Sequence, residues 1–383
     1  MTLKIVADAA IPFAGAYFSS IGELTLVNGR DITPAAVHDA DVLVTRTVTR
    51  VDETLLRDSA VRFVASATSG RDHVDREFLE SRDIGFGYAP GCNARSVAEY
   101  VLSSLFVLSD QSGFDLSAKR VGIVGCGHVG SMVLKLLQAM DVQCLVCDPP
   151  LKEQGVEKTF HDLEQVLAAD VVTLHVPLTG GGKHPTRNLL DSASLDRLGN
   201  DVIFINTSRG GVVDEAALQG FLERHPRASA VIDVWENEPD INTGLLERAA
   251  IATPHIAGYS TDGKLKGTRM VYQQVCHYFD LDAEDITPTL PQGGVDTLIL
   301  DDPESIRDAL QMAVLACYDV RSDSISLRRI LDIAARERGV YFDDLRNHYP
   351  LRREFPAMRV ELRDPAGETG RKLTALGFEV KAG

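Results

Sequence analysis

Short apolar runs alternate with polar or helix-patterned stretches along almost the whole chain. Before Ala89-Pro-Gly91, strand-like runs at Lys4 to Ala7, Leu24 to Val27, Asp41 to Val44 and Arg62 to Ala67 are separated by polar or helical segments, an α/β rhythm. Asn93 to Leu108 then places Val97, Val101, Leu105 and Leu108 on one helical face with small Ser103 and Ser104 beside them. That spacing predicts a mostly buried helix crossing between two domains. Between Lys119 and Ile256 six strand-like runs follow: Val121 to Val124, Gln143 to Cys147, Asp170 to Val176, Asp201 to Asn206, Ala228 to Val234 and Ala250 to Thr253. Helical segments such as Asp162 to Ala168 and Asp214 to Arg224 separate them, which predicts a doubly wound parallel sheet. Ligands of such sheets lie beyond the carboxyl ends of the strands.

A helix over Thr261 to Phe279 leads into Thr287-Pro-Thr-Leu-Pro-Gln-Gly-Gly294, whose prolines and glycines mark a linker. Beyond it Ile306, Ala309, Leu310, Ala313, Val314 and Cys317 form a helical stripe, and Met358 to Leu362 and Phe378 to Val380 are strand-like. The fold class expected is α/β, with two doubly wound parallel-sheet domains and a small α+β C-terminal domain.

At 383 residues the chain is longer than one core usually serves. Its 25% charged and 44% hydrophobic residues are those of an ordinary soluble protein. A formal charge of −16 argues against a nucleic-acid or anionic-membrane binder. An anionic substrate then requires local basic residues. Asp8 and Pro12 interrupt any signal-peptide core, and no apolar run approaches the roughly 20 residues of a membrane span, so a cytoplasmic protein is expected. Six scattered cysteines suit reduced thiols. Cys144-x-x-Cys147 sits on a strand with its side chains on opposite faces, so no metal site is expected there.

The most informative segment is Val121-Gly-Ile-Val-Gly-Cys-Gly-His-Val-Gly130. An apolar strand enters Gly125, Gly127 and Gly130 at G-x-G-x-x-G spacing, with His128 and Val129 opening a helix that continues through Val133, Leu136, Leu137 and Met140. A second strand, Gln143 to Cys147, ends in Asp148. Strand, glycine turn, helix, strand and acid are the parts of a dinucleotide site: close backbone approach to pyrophosphate, a helix N-terminus facing the anion, and a carboxylate for the ribose. Asp148 favours NAD over NADP, because it repels a 2′-phosphate.

Three polar clusters end the later strands: Ile205-Asn-Thr-Ser-Arg-Gly210, Ile232-Asp-Val-Trp-Glu-Asn-Glu-Pro239 and Thr253-Pro-His-Ile-Ala-Gly258. Alone, each of these residues is ordinary; together they bring a guanidinium, a carboxylate and an imidazole to one rim. Hydride removal from a 2-hydroxy acid needs a base for the hydroxyl proton, and His255 is the candidate. Glu238 suits the carboxylate that orients it, and Arg209 the cation that binds the substrate carboxylate. Asp233 is a candidate for the nicotinamide carboxamide, with a turn cap as the plainer alternative.

With these residues the chain resembles the NAD-dependent dehydrogenases specific for D-2-hydroxy acids over residues 1–285. Asp72-His-Val-Asp75, Ala89-Pro-Gly-Cys-Asn93, Ala257-Gly-Tyr-Ser-Thr-Asp-Gly-Lys264 and Gly267-Thr268 support the resemblance. Tyr318-Asp-Val-Arg321, Phe342-Asp-Asp-Leu-Arg346 and Tyr349-Pro-Leu-Arg-Arg-Glu354 make the tail similar to the dimerisation domain of one subfamily. The resemblance implies a substrate-binding domain of 1–95 with 258–286, an NAD-binding Rossmann domain of 96–257, and a C-terminal dimerisation domain of 287–383 in a homodimer. It implies Arg209, Glu238 and His255 as catalytic residues. Gly125, Gly127, His128, Val129, Gly130, Asp148, Val176, Thr207, Ser208, Arg209, Asp233 and Gly258 are expected at NAD. Thr47, Thr68 and Tyr259 are expected at the substrate, a small phosphorylated hydroxy acid oxidised in vitamin B6 biosynthesis. Arg46 and Arg71, more than Lys264 and Lys266, are the cations favoured for its phosphate. Thr207-Ser208 and the loop Gly180-Gly-Gly-Lys-His-Pro185 depart from the family pattern. Two other readings stay open: a phosphoglycerate- or lactate-type member, and an NAD-sensing binding protein that keeps the same trio.

Overall fold

Five parallel strands, β1 (Leu3–Asp8), β2 (Gly22–Val27), β3 (Val42–Thr45), β4 (Phe63–Ser66) and β5 (Gly85–Tyr88), build the first sheet in the order β2-β1-β3-β4-β5. The computed structural model describes residues 2–383. This sheet belongs to a compact unit that runs to Asn93 and takes back Ser260–Pro291. Its helix Thr261–Tyr278 starts on a Ser260 cap, whose hydroxyl accepts the Gly263 N–H at 2.8 Å. Val271, Tyr272, Val275 and Cys276 of that helix join Ile5, Val42, Val44 and Phe63 in one core. Val6, Leu43, Val64 and Leu79 belong to a second core. Strands buried on both faces read as near-continuous apolar runs, which is why β1 and β3 were visible in the pattern.

The second unit is Ala94–Tyr259 with Gln292–Gly383. Its main sheet comprises β6 (Arg120–Val124), β7 (Gln143–Cys147), β8 (Val171–Leu174), β9 (Ile203–Asn206), β10 (Ser229–Ile232) and β11 (Ile251–Ala252), ordered β11-β10-β9-β8-β6-β7. All pairs are parallel, and the order reverses at β6, which pairs with β7 on one side and β8 on the other. That is the topological switch point where such sheets bind ligands. All six strands lie on the runs marked in the sequence. The helix Ala94–Ser112 is buried from Val97 through Ser109.

The tail carries three parallel strands, β12 (Thr297–Leu300), β13 (Arg359–Leu362) and β14 (Glu379–Ala382), in that order. Its apolar stripe does not close on itself alone. Ala309, Leu310, Ala313 and Val314 share one core with Val101, Leu105, Val121 and Ile203, while Leu327, Ile330 and Phe342 enter another with Val172, Phe204 and Ile232. The tail therefore belongs energetically to the unit that holds the six-stranded sheet. Among the described residues, no helix is long and apolar enough to cross a membrane.

Candidate active site

The glycine turn after β6 is built for close approach. Gly125 adopts φ +87°, and a Cβ there would stand 2.8 Å from the His175 carbonyl oxygen; one on Gly130 would stand 1.9 Å from the Gly125 oxygen. Gly127, by contrast, faces open space and caps the helix His128–Gln138. A backbone that excludes side chains at two positions and leaves the third open fits a pyrophosphate lying on the helix N-terminus. Asp148 ends β7 and turns back onto this loop: Oδ2 accepts the Cys126 N–H at 2.7 Å and Oδ1 caps the next helix through the Leu151 N–H at 3.0 Å. The carboxylate the sequence assigned to ribose thus also ties the glycine turn to the second strand.

Arg209, Asp233 and His255 follow β9, β10 and β11 at one rim, with Glu238 in the loop after β10. The two loops carrying Arg209 and Glu238 touch backbone to backbone, because a Cβ on Gly210 would lie 2.0 Å from the Trp235 carbonyl carbon. Asn206 braces the Arg209 turn: its amide donates to the Arg209 oxygen at 3.1 Å and its Oδ1 accepts the Ser208 N–H and hydroxyl. Arg209 Nη1 donates to the Ser208 oxygen at 2.8 Å.

Glu238 Oε2 is 2.7 Å from Nδ1 of His255, and its Oε1 accepts the Trp235 N–H at 2.9 Å. Burial alone would raise the Glu238 carboxyl, but the His255 ring and the Trp235 N–H outweigh it and hold the group below the ordinary glutamate range. His255 itself sits at φ +58°, a left-handed conformation that costs a non-glycine residue about 1–3 kcal/mol. Asp233 sustains it. Its carbonyl accepts the His255 N–H at 2.7 Å, and its carboxylate accepts the N–H groups of Ile256 at 2.8 Å and Ala257 at 3.0 Å and the Thr253 hydroxyl at 2.7 Å. The turn-cap reading of Asp233 is thus realised, and Oδ2, with one of these bonds, keeps a lone pair for a carboxamide. Tyr100 and Trp235 close the shell: their side chains reach Thr253 Oγ1 at 2.7 Å and the Thr253 oxygen at 3.0 Å.

His175, beside Val176 at the end of β8, carried no sequence assignment. Burial pushes its imidazole down to about 3, so the ring is neutral, 3.0 Å from Thr173 Oγ1 and 3.3 Å from Thr207 Oγ1. Glu215 was also missed; burial raises its carboxyl to about 7, and it accepts the Glu236 N–H at 2.6 Å. Neither residue stands in a spacing that marks it.

The remaining candidates divide by unit. Tyr259 accepts a hydrogen bond from Arg346 at 3.2 Å and stacks edge-on against Tyr349. Thr47, Thr68, Arg46 and Arg71 lie in the first unit, after β3 and β4. Arg46 has its charge matched by buried Asp8, with Nε 2.8 Å and Nη2 3.3 Å from that carboxylate, so it is a paired residue there. Arg71 is exposed, 5.5 Å over the Tyr88 ring, and Thr68 Oγ1 bonds Ser66 and Gly70. Cys144 and Cys147 are free thiols raised by burial to about 12 and about 11, which opposes thiolate chemistry.

Residues 97–257 match the model of the D-isomer specific 2-hydroxyacid dehydrogenase, NAD binding domain, and residues 289–377 match a domain of unknown function, DUF3410. The chain belongs to the D-isomer-specific 2-hydroxyacid dehydrogenases, NAD-dependent oxidoreductases acting on a CH–OH group. Within them it is homologous along its length to enzymes named erythronate-4-phosphate dehydrogenase. It is 44% identical to that of Marinobacter nauticus over 99% of this chain and 100% of the relative, and 44% identical to that of Chromohalobacter salexigens over 99% of each. Among solved structures, NAD-bound 3-phosphoglycerate dehydrogenase of Entamoeba histolytica superimposes with a TM-score of 0.64 at 21% identity, covering 73% of this chain and 96% of that one. D-Lactate dehydrogenase of Aquifex aeolicus gives 0.61 at 22% identity, covering 72% of this chain and 96% of its own.

Proposed function

We propose that the chain oxidises 4-phosphoerythronate at its 2-hydroxyl to 2-oxo-3-hydroxy-4-phosphobutanoate, with NAD rather than NADP, in cytoplasmic pyridoxal phosphate biosynthesis. One observation carries this reading: the 44% identity runs through 99% of the chain, tail included, whereas the phosphoglycerate and lactate enzymes cover under three quarters of it.

Gly125, Gly127, His128, Val129 and Gly130 would hold the pyrophosphate, Asp148 the adenosine ribose, and Val176, Thr207, Ser208, Asp233 and Gly258 the nicotinamide end. The bound nicotinamide supplies the hydride acceptor. Because an ionised carboxylate only accepts hydrogen bonds, Glu238 requires the proton of neutral His255 to sit on Nδ1, which leaves Nε2 as the base for the substrate hydroxyl. Arg209 binds the substrate carboxylate through its guanidinium fork. As the alcohol proton arrives, the ring becomes an imidazolium stabilised by Glu238. Thr47, Thr68 and Tyr259 would contact the substrate, with exposed Arg71 the better placed cation for its phosphate and Arg46 held by Asp8.

A substrate panel tests the reading: 4-phosphoerythronate should have the highest kcat/KM, and faster turnover of 3-phosphoglycerate or D-lactate overturns it. The tail also presents exposed apolar side chains at Ile299, Met312, Ile325 and Leu351, which support a homodimer through this region. Sedimentation of an Ile299→Glu, Ile325→Glu double variant should show a smaller species; an unchanged mass argues against that surface.

A further inference from the structure

The tail reaches the catalytic loops at three points inside its own unit. Helix Ala335–Asn347 lies so close to the loop after Glu238 that a Cβ on Gly339 would stand 3.2 Å from Pro239 Cγ and 3.2 Å from Asp240 Oδ1. One residue before its end, Arg346 donates to the Tyr259 hydroxyl at 3.2 Å, with its guanidinium 5.9 Å from the Tyr259 ring and 5.9 Å from that of Phe342. Further on, Arg352, only 5% exposed, donates to the Ala257 oxygen at 3.1 Å, two residues after His255. The Arg346 Nε–H is buried without a hydrogen-bond acceptor among the described residues.

We propose that Arg346 is a positioning residue of the hydride-transfer site: it orients the Tyr259 hydroxyl and places a fixed positive charge beside the Glu238–His255 pair. The domain of unknown function is then a working part of the active site. This rests on the dehydrogenase reading above.

The physical argument is electrostatic. Arg346 and Glu238 each favour the other's charged form, Arg346 remaining cationic despite burial. A cation near the pair favours the ionised carboxylate of Glu238, the form that holds the His255 proton on Nδ1. The charged and titratable groups around the pair are Asp233, Glu236 and Glu238 on the loop after β10, Glu215 on helix Glu215–Arg224, Tyr259 after β11, and Asp343 and Arg346 on helix Ala335–Asn347. Arg346 is the cation that the tail adds to this group, beside Arg209 of the loop after β9.

The test compares full-length Arg346→Gln and Arg346→Lys with wild type by carbon-13 NMR titration of histidine, the His255 signal assigned by its loss in His255→Ala. Removing the charge should move the pair's titration midpoint up by about half a pH unit or more, and lysine should leave it in place. The acidic limb of kcat/KM for the best substrate of the panel should move the same way. In Arg346→Gln, KM should rise, and Tyr259→Phe should absorb that rise in the double variant. If Arg346→Gln does not fold, Arg346→Met, which keeps the apolar stem, replaces it. Equal midpoints in the neutral and lysine variants overturn the proposal. The NMR readout does not depend on which hydroxy acid is turned over, so a wrong substrate is distinguished from a wrong role for Arg346.

Discussion

Glu238 divides its two oxygens between His255 Nδ1 at 2.7 Å and the Trp235 N–H at 2.9 Å, so the same carboxylate is anchored to the backbone and aimed at the ring. In Glu238→Gln, the amide oxygen keeps the Trp235 bond and the amide NH₂ faces Nδ1. The ring must then accept there and carry its proton on Nε2, where it cannot take one from substrate. The expected result is a fall in kcat of about 10²–10⁴ with thermal stability nearly unchanged. Steady-state kinetics beside a melting curve check it; a fall below tenfold would mean that the carboxylate does not set the tautomer.

What the residue pattern revealed, and what it hid, follows from physics. Strands β6 and β7 announced themselves because both are apolar runs that end in residues with a conformational or charge requirement, Gly125 and Asp148. The strand β5 was hidden by its two glycines. A Cβ on Gly85 would stand 2.6 Å from the Phe63 ring, and one on Gly87 would stand 2.2 Å from Gln274 Oε1. Helix packing over that strand demands the residues that erase its signature. The strand β12 was hidden by its exposed position beside the linker, with Ile299 60% exposed. The trio Arg209, Glu238 and His255 was readable because each ends a strand or its loop. His175, Glu215 and Arg346 were not, because what sets them apart is their burial and their partners, which no local spacing marks.

Gly210 sets the spacing between the Arg209 and Glu238 loops, since any Cβ there would overlap the backbone of Trp235 and Glu236 at 2.0–2.3 Å. Gly210→Ala should therefore push the two loops apart. The glycine turn after β6 is on another strand and should be untouched. We expect loss of kcat/KM by about 100-fold or more, since misplacement of about 1 Å costs that much, with NAD binding weakened far less than turnover. Fluorescence titration with NADH alongside turnover measures both; an active Gly210→Ala enzyme would show that the loops tolerate separation.

Asp148 holds two backbone N–H groups and presents its charge where the ribose is expected. Asp148→Asn keeps an oxygen for the helix cap and removes the charge that repels a 2′-phosphate. The ratio of kcat/KM with NADP to that with NAD should rise by about tenfold, equivalent to roughly 1.4 kcal/mol of like-charge repulsion. An unchanged ratio would assign cofactor choice to another residue.

The last prediction concerns stability and the seam between the tail and helix Ala94–Ser112. Glu99 is fully buried there, accepts the Phe355 N–H at 2.9 Å and pairs with Arg95 Nε at 3.0 Å. Burial, aided by the charge of Glu354, nevertheless pushes its carboxyl from 4.5 up to about 8 against the pull of Arg95 and Arg352. A carboxyl raised in the folded state favours folding below its unfolded value, and that contribution is lost as pH rises through the folded value. Stability should therefore decline between pH 4.5 and about 8 as the unfolded chain ionises more readily than the folded one. Glu99→Gln retains an acceptor for Phe355 and cannot ionise, so its stability should change less over that interval. Denaturant unfolding at pH about 5 and about 9 compares the two proteins. Parallel losses in both would show that the decline arises from other groups, Glu215 being the next to examine because burial raises it to about 7.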